Sequence, residues 1–199
     1  MQRLDQQMRF VGEVGRLKGV LRQTVLAADG LNRRENSAEH SWHLAMMVLV
    51  LGEHAPPGTN LSRVTAMVLI HDLVEIDAGD LFVYADADAQ ARQDAAERAA
   101  ADRIFAVLPE DQAVELRRLW DEFTARQTAD ARFARAIDRL QPMLENLTAG
   151  GGTWQRHGIT ADQVLAKVAL VADGSPQLGA VARALVNQAV TDGILQPAP

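Results

Sequence analysis

Cysteine is absent from all 199 residues. Its absence excludes disulfides, thiolate nucleophiles and every sulfur-liganded zinc site, and it fits a cytoplasmic, reducing compartment. Aromatic residues are few, at 5%, and no stretch sustains the β-branched and aromatic alternation of a strand. The longest purely apolar run, Leu44 to Leu51, has eight residues, against the roughly 20 that span a bilayer. The opening MQRLDQQMRF lacks the apolar core of a secretory leader, so no membrane partner is expected. Basic residues are outnumbered by acidic ones, 20 to 26. A net charge of −6 argues against a nucleic-acid partner, which needs a clustered basic face. With 48% hydrophobic and 23% charged residues, a single domain over 1–199 can build its own core without a staple.

The periodicity is helical throughout. Leu4, Val11, Val14, Leu17 and Leu21 predict a first amphipathic helix over Leu4 to Leu21, followed by a loop over Asp29 to Arg34. Asn36 with Glu39 three residues on resembles a capping box and opens a helix to about His54, before Pro56 and Pro57. A third helix is expected from Leu61 to Ile76, a fourth from Asp88 to Val107, and a fifth from Pro109 to about Phe123. Thr128 caps a sixth, which Pro142 should kink, and Gly150, Gly151 and Gly152 break the chain. Thr160 and Ser175 open two closing helices, over about 160–192. Leu178, Val181, Leu185 and Val190 form a stripe there that suits the core, or alternatively a homodimer face. The expected fold is an all-α bundle of about seven or eight helices.

No G-x-S-x-G elbow, P-loop or G-x-G-x-x-G is present, so acyl-transfer hydrolases and dinucleotide enzymes find no support. What stands out are histidines and carboxylates at helix positions that ought to be apolar. His71 and Asp72 end a strongly apolar segment, Glu75 falls one turn later on the same face, and Asp80 follows Gly79. A His-Asp dipeptide alone is weak, since about 0.4 are expected by chance from five His and 16 Asp. The string H-D-L-V-E-I-D-A-G-D is far more specific. His40 and His43 share a helix face; His40, at the polar opening, is the better third ligand, and His43 the better hydrogen-bonded core histidine. Asp138 sits beside Ile137 on an apolar face, where an unpaired carboxylate is costly. It either holds a metal or pairs with Arg135 and Arg139 at the surface.

Two His and two Asp form a mixed nitrogen and oxygen set suited to Mn²⁺, Co²⁺, Fe²⁺, Ni²⁺ or Zn²⁺ rather than Ca²⁺. Glu75 and Asp80 leave such a pocket negative, so a phosphate needs a cationic clamp. Arg22, at the end of the first helix, with Arg33 and Arg34, are the candidates.

Three ordered segments, R-R-E-N-S-A-E-H-S-W-H (Arg33 to His43), H-D-L-V-E-I-D-A-G-D (His71 to Asp80) and A-I-D-R-L-Q-P-M-L-E-N (Ala136 to Asn146), resemble the HD-domain hydrolases. The branch most similar contains the 5′-deoxynucleotidases, and the resemblance runs from about Leu17 to Thr160. It implies an all-α HD fold, a divalent metal on His40, His71, Asp72 and Asp138, and phosphate hydrolysis. The family's catalytic acid falls on Glu75 and its carboxylate near the nucleoside sugar on Asp80. Its sugar-selecting arginine falls on Arg22, where Gln23 follows in place of the aromatic residue some members carry.

The function expected is a metal-dependent phosphomonoesterase acting on nucleoside 5′-monophosphates, a small-molecule partner. A diesterase or triphosphohydrolase is the related alternative, although His54 and His157 sit poorly for a second metal. A non-catalytic, metal-stabilised nucleotide-binding module is the other, against which the intact Glu75 and Asp80 speak.

Overall fold

A computed structural model describes residues 1–27 and 32–199. Eight helices of ten residues or more make up most of it: α1 (Gln2–Val14), α2 (Ser37–Leu51), α3 (Leu61–Ile70), α5 (Ala87–Phe105), α6 (Glu110–Ala125), α7 (Ala129–Thr148), α9 (Ala161–Gly174) and α10 (Pro176–Thr191). Two short ones, α4 (Glu75–Ala78) and α8 (Gly152–Arg156), are added to these.

Local chemistry sets most of the starts. Asn36 accepts from the N–H groups of Ala38 and Glu39 at 3.1 and 3.0 Å, and Glu39 returns a bond to the Asn36 N–H at 3.2 Å. These reciprocal bonds satisfy donors that the first turn of α2 leaves free. Thr128 accepts from Ala131 at the start of α7, and Ser175 from Leu178 at the start of α10. Helix α7 runs unbroken across Pro142. Having no N–H, Pro142 leaves the Asp138 carbonyl one turn earlier without its intrahelical donor.

The core gathers around α7. Phe133, Ile137 and Leu140 meet Leu44 and Val48 of α2, Val64 and Val68 of α3, and Val164, Val168 and Val171 of α9. A second cluster joins Phe10, Leu17, Leu73, Val74, Ile104, Phe105 and Trp120. Close helix approach depends on two glycines. A Cβ on Gly174 would lie 2.2 Å from the Arg132 carbonyl oxygen, and one on Gly179 would lie 2.5 Å from Ala172. The buried face of α10 is Leu178, Ala182, Val186 and Ala189, so the expected stripe is rotated; Val181 is exposed.

Three expectations need correction. Residues Leu21–Leu26 form strand β1, paired antiparallel with β2 (Arg33–Asn36), so the bundle carries a two-stranded hairpin that no alternation announces. The first helix ends at Val14, and a 3₁₀ turn over Gly15–Gly19 follows; Leu17 is buried but Leu21 is half exposed, so the apolar stripe stops there. Arg22 therefore projects from a strand, not from a helix end. Of the expected loop, Asp29, Gly30 and Leu31 lie outside the described residues. Finally, α3 stops at Ile70 and gives way to a 3₁₀ turn over His71–Val74 before α4. The Trp120 indole N–H donates to the His71 carbonyl at 3.1 Å, taking an acceptor that a continuing α-helix would use.

Candidate metal centre

The 3₁₀ turn is what assembles the site. At three residues per turn, side chains three apart eclipse, so Asp72 and Glu75 leave the backbone on the same side. Both then face Arg22 on β1. Gly79 follows α4 with φ +74°, a conformation costly for other residues, and redirects Asp80 to the Gln23 N–H at 3.1 Å.

His40, His71 and Asp72 place ligand atoms within 4.8 Å of one another, all buried. Asp138 joins them, its Oδ1 3.2 Å from His40 Nε2 and 3.7 Å from His71 Nε2. All four expected ligands thus converge, from α2, the 3₁₀ turn and α7.

The tautomers test whether a cation fits. His71 Nδ1 donates to the Val68 carbonyl at 2.9 Å, which turns Nε2 toward Asp72 Oδ1, 3.0 Å away. That Nε2 is buried and makes no hydrogen bond. His40 Nδ1 bonds the Gln141 amide oxygen at 3.0 Å, so its Nε2 presents a lone pair to Asp138. Lone pairs aimed at carboxylates repel unless a proton or a metal ion lies between them. Two nitrogens and two carboxylates suit a divalent transition ion, and the four residues fit it.

The electrostatics show the same demand for a cation at His71: burial opposes charge there, but Asp72 and Asp138 outweigh it and raise its pKa to about 10, so a proton occupies Nε2 where no metal ion does. Burial and Arg22 lower His40 to about 4. Burial would raise Asp138, yet Arg139 and the two imidazoles hold it well below the usual carboxylate range. Glu75 is pushed well above that range by burial and by Asp72, against the pull of Arg22. Its Oε2 accepts from the Ser37 hydroxyl at 2.5 Å. Burial that favours the protonated form of a carboxyl beside a metal centre suits it to proton donation.

Arg22 is 9% exposed and holds this wall together: it donates to Asp72 at 2.7 Å and lies 3.4 to 3.8 Å from Glu35, Glu75 and Asp80. Arg33 is not brought to the site. It is exposed, forks Glu39 at 2.8 and 2.9 Å, and is not among the residues lining the cavity. Arg34 instead braces β1, donating to the carbonyls of Arg22 and Leu21. His43 is partly exposed, its Nδ1 3.4 Å from Glu145 and 3.3 Å from Gln141.

Two groups of residues escaped the sequence reading. Glu35, 1% exposed, accepts from the Gln141 amide at 2.8 Å, forming a relay Glu35–Gln141–His40 that orients the imidazole. Gln141 lies three residues after Asp138 on α7, a spacing that could have flagged it; nothing local flags Glu35. Arg135 and Arg139, expected at the surface, are instead largely buried and line the cavity with Arg126 and Lys167.

The cavity has a volume of about 390 Å³. Five of the chain's nine aromatic residues line it: Phe82, Tyr84, Trp120, Phe123 and Trp154. Burial pushes the Tyr84 phenol up to about 12, so it stays a neutral donor.

An all-α domain in which two histidines and two aspartates meet at the turn of a His-Asp dipeptide defines a class, that of the HD-type metal-binding domains. The chain belongs to the HD domain family, whose profile matches residues 14–178. It is similar to a crystallised protein from Magnetospirillum magnetotacticum MS-1, described as a predicted metal-dependent phosphohydrolase, with a TM-score of 0.92 and 52% identity over 98% of this chain and 96% of that one. It is 30% identical over 138 residues to the 5′-deoxynucleotidase HDDC2 of Homo sapiens and 31% over 141 residues to that of Bos taurus, in each case 69% of this chain. The matched region spans 65% of the length of each of these curated relatives. A conserved hypothetical protein from Pyrococcus furiosus shares the fold, with a TM-score of 0.60 and 18% identity over 92% of this chain and 99% of that one.

Proposed function

We propose that the protein is a metal-dependent phosphohydrolase that releases phosphate from nucleoside 5′-monophosphates, with 2′-deoxy forms modestly favoured. One observation carries the reading: His40, His71, Asp72 and Asp138, a set suited to a divalent ion, meet beside a cavity that the buried Glu75 also lines. A structural metal site has no use for that carboxyl. The names of the phosphohydrolase and 5′-deoxynucleotidase relatives support the same reading.

Mn²⁺, Co²⁺, Fe²⁺, Ni²⁺ or Zn²⁺ is the ion proposed for His40, His71, Asp72 and Asp138; when bound, it supplies Lewis acidity to the phosphoryl group. Water adds to phosphorus as the bond to the 5′-oxygen breaks. Glu75 donates its proton to that leaving oxygen and is recharged by the proton the water gives up. Ser37, donating to Glu75 Oε2, holds the carboxyl in place for the transfer. Asp80 and the edge of Arg22 face the sugar, and the aromatic lining receives the base.

The test is phosphate release from dAMP, AMP and dATP by protein loaded with each metal in turn. Release from dAMP is expected to be fastest. Faster phosphate or triphosphate release from dATP, or no release from any of the three, overturns the reading.

A further inference from the structure

Across the metal centre from Arg22, the cavity wall changes sign. Arg135 and Arg139 stand one turn apart on α7, and both address the outer oxygen of Asp138, Oδ2, at 3.1 and 3.6 Å. Lys167 of α9 and Arg126 at the end of α6 line the cavity with them. Among the described residues neither of those two makes an ion pair; Lys167 Nζ lies 5.6 Å from the centre of the Tyr84 ring instead. The Nε atoms of Arg135 and Arg139 are buried and make no hydrogen bond.

Two cations thus share one carboxylate and two more stand beside them, in a chain that carries a surplus of acid. The cost shows at Lys167, whose pKa is lowered by burial and then by Arg139, Arg135 and Arg126. An arginine cannot shed its charge to relieve such crowding. Only an anion can.

The opposite wall cannot serve that anion. Arg22 already faces Asp72, Glu75, Asp80 and Glu35, so its charge is committed to carboxyls on its own wall before a phosphate arrives. Guanidinium pairs, by contrast, match the oxygens of a phosphoryl group in a fork.

We propose that Arg135 and Arg139, backed by Lys167 and Arg126, form the subsite for the substrate's phosphoryl group, so that the rest of the substrate points the other way, toward Asp80. The orientation rests on the phosphohydrolase reading above; the anion subsite itself does not.

Inorganic phosphate is the probe, titrated by calorimetry into metal-loaded protein whose ion content is measured for each variant. Arg139→Gln is expected to weaken phosphate binding roughly 10- to 100-fold, the range for a charge-assisted contact. Lys167→Gln, which touches no metal ligand, is expected to weaken it about 3- to 10-fold, and Arg63→Gln, remote on the surface, not at all. If Arg139→Gln misfolds or loses metal, Lys167→Gln decides. Phosphate affinity within twofold of the parent in metal-loaded Lys167→Gln overturns the subsite, as does a parent protein that binds no phosphate. Weakened phosphate binding in a protein that hydrolyses no nucleotide upholds the subsite and removes the activity. Unchanged phosphate affinity in variants that still hydrolyse dAMP does the reverse.

Discussion

On one wall of the cavity, one arginine, Arg22, stands among Asp72, Glu75, Asp80 and Glu35; on the other, one aspartate, Asp138, stands before Arg135 and Arg139 with Lys167 and Arg126 beside them. Both walls carry a surplus of one sign, yet they resolve it differently. Carboxyls can take up protons: burial raises Glu75 and Asp80 and brings Glu35 to about 7, while Asp72 is held ionised by His71 and Arg22. Guanidiniums have no such exit at any ordinary pH. The acidic wall is therefore nearly self-sufficient, whereas the basic wall is complete only with an anion. The metal centre lies between them and answers to both.

Removing a ligand at that centre has the largest expected effect. His71→Ala or Asp138→Ala abolishes metal binding and turnover while helix content by circular dichroism holds, because the core around α7 does not depend on the ion. Full metal occupancy in either variant, by elemental analysis, breaks the ligand assignment.

Glu75→Gln keeps the shape of the acidic wall but removes its mobile proton, so kcat is expected to fall roughly 10²- to 10⁴-fold with metal retained. The sign of the pH dependence follows from the raised pKa. Glu75 must be protonated to donate, so the parent's kcat/KM falls as pH rises through that pKa. The residual rate of the Gln variant should lack this limb; a variant as fast as the parent removes Glu75 from the mechanism.

Arg22→Met sharpens the contrast between the walls. It strands Asp72 and its neighbours, and breaking a buried pair from one side costs about 3–5 kcal/mol by urea unfolding. Because the carboxyls with raised pKa can neutralise themselves as pH falls, the loss should be smaller at pH 5 than at pH 8. Equal losses at both would show that the wall does not use protonation. The smallest effect lies outside both walls: Asn36→Ala removes the cap of α2 and should cost about 1 kcal/mol, read as a shift in the same unfolding midpoint.

How much of this was legible beforehand depended on the range of the interaction involved. The Asn36–Glu39 box, the Thr128 cap and the stop after His54 are set by residues within one turn of one another, and they stand where the sequence puts them. The metal set was legible for a related reason. His71, Asp72 and Asp138 each contradict the apolar pattern of their own segment, and a costly local exception advertises itself, while His40 stood out as a histidine at the polar opening of its helix. Arg135 and Arg139 do not: arginines beside an aspartate on an alanine-rich helix read as solvated charge until the facing elements are known. Their spacing three before and one after Asp138 was the signal available, and it read as surface partners for that aspartate.

The sequence by itself determined the helical class and most helix boundaries and singled out the four residues proposed as ligands, since periodicity, caps and buried polar exceptions act over a few residues. Only the tertiary structure decided that residues 21–26 and 33–36 pair as strands, that the 3₁₀ turn at His71 swings Glu75 onto Arg22, and that Glu35 reaches His40 through Gln141. It alone placed Arg126, Arg135, Arg139 and Lys167, from three different helices, on one wall. Charge is a long-range quantity, and its balance in a cavity is set by which elements meet there, whereas a helix is decided by the residues one turn away.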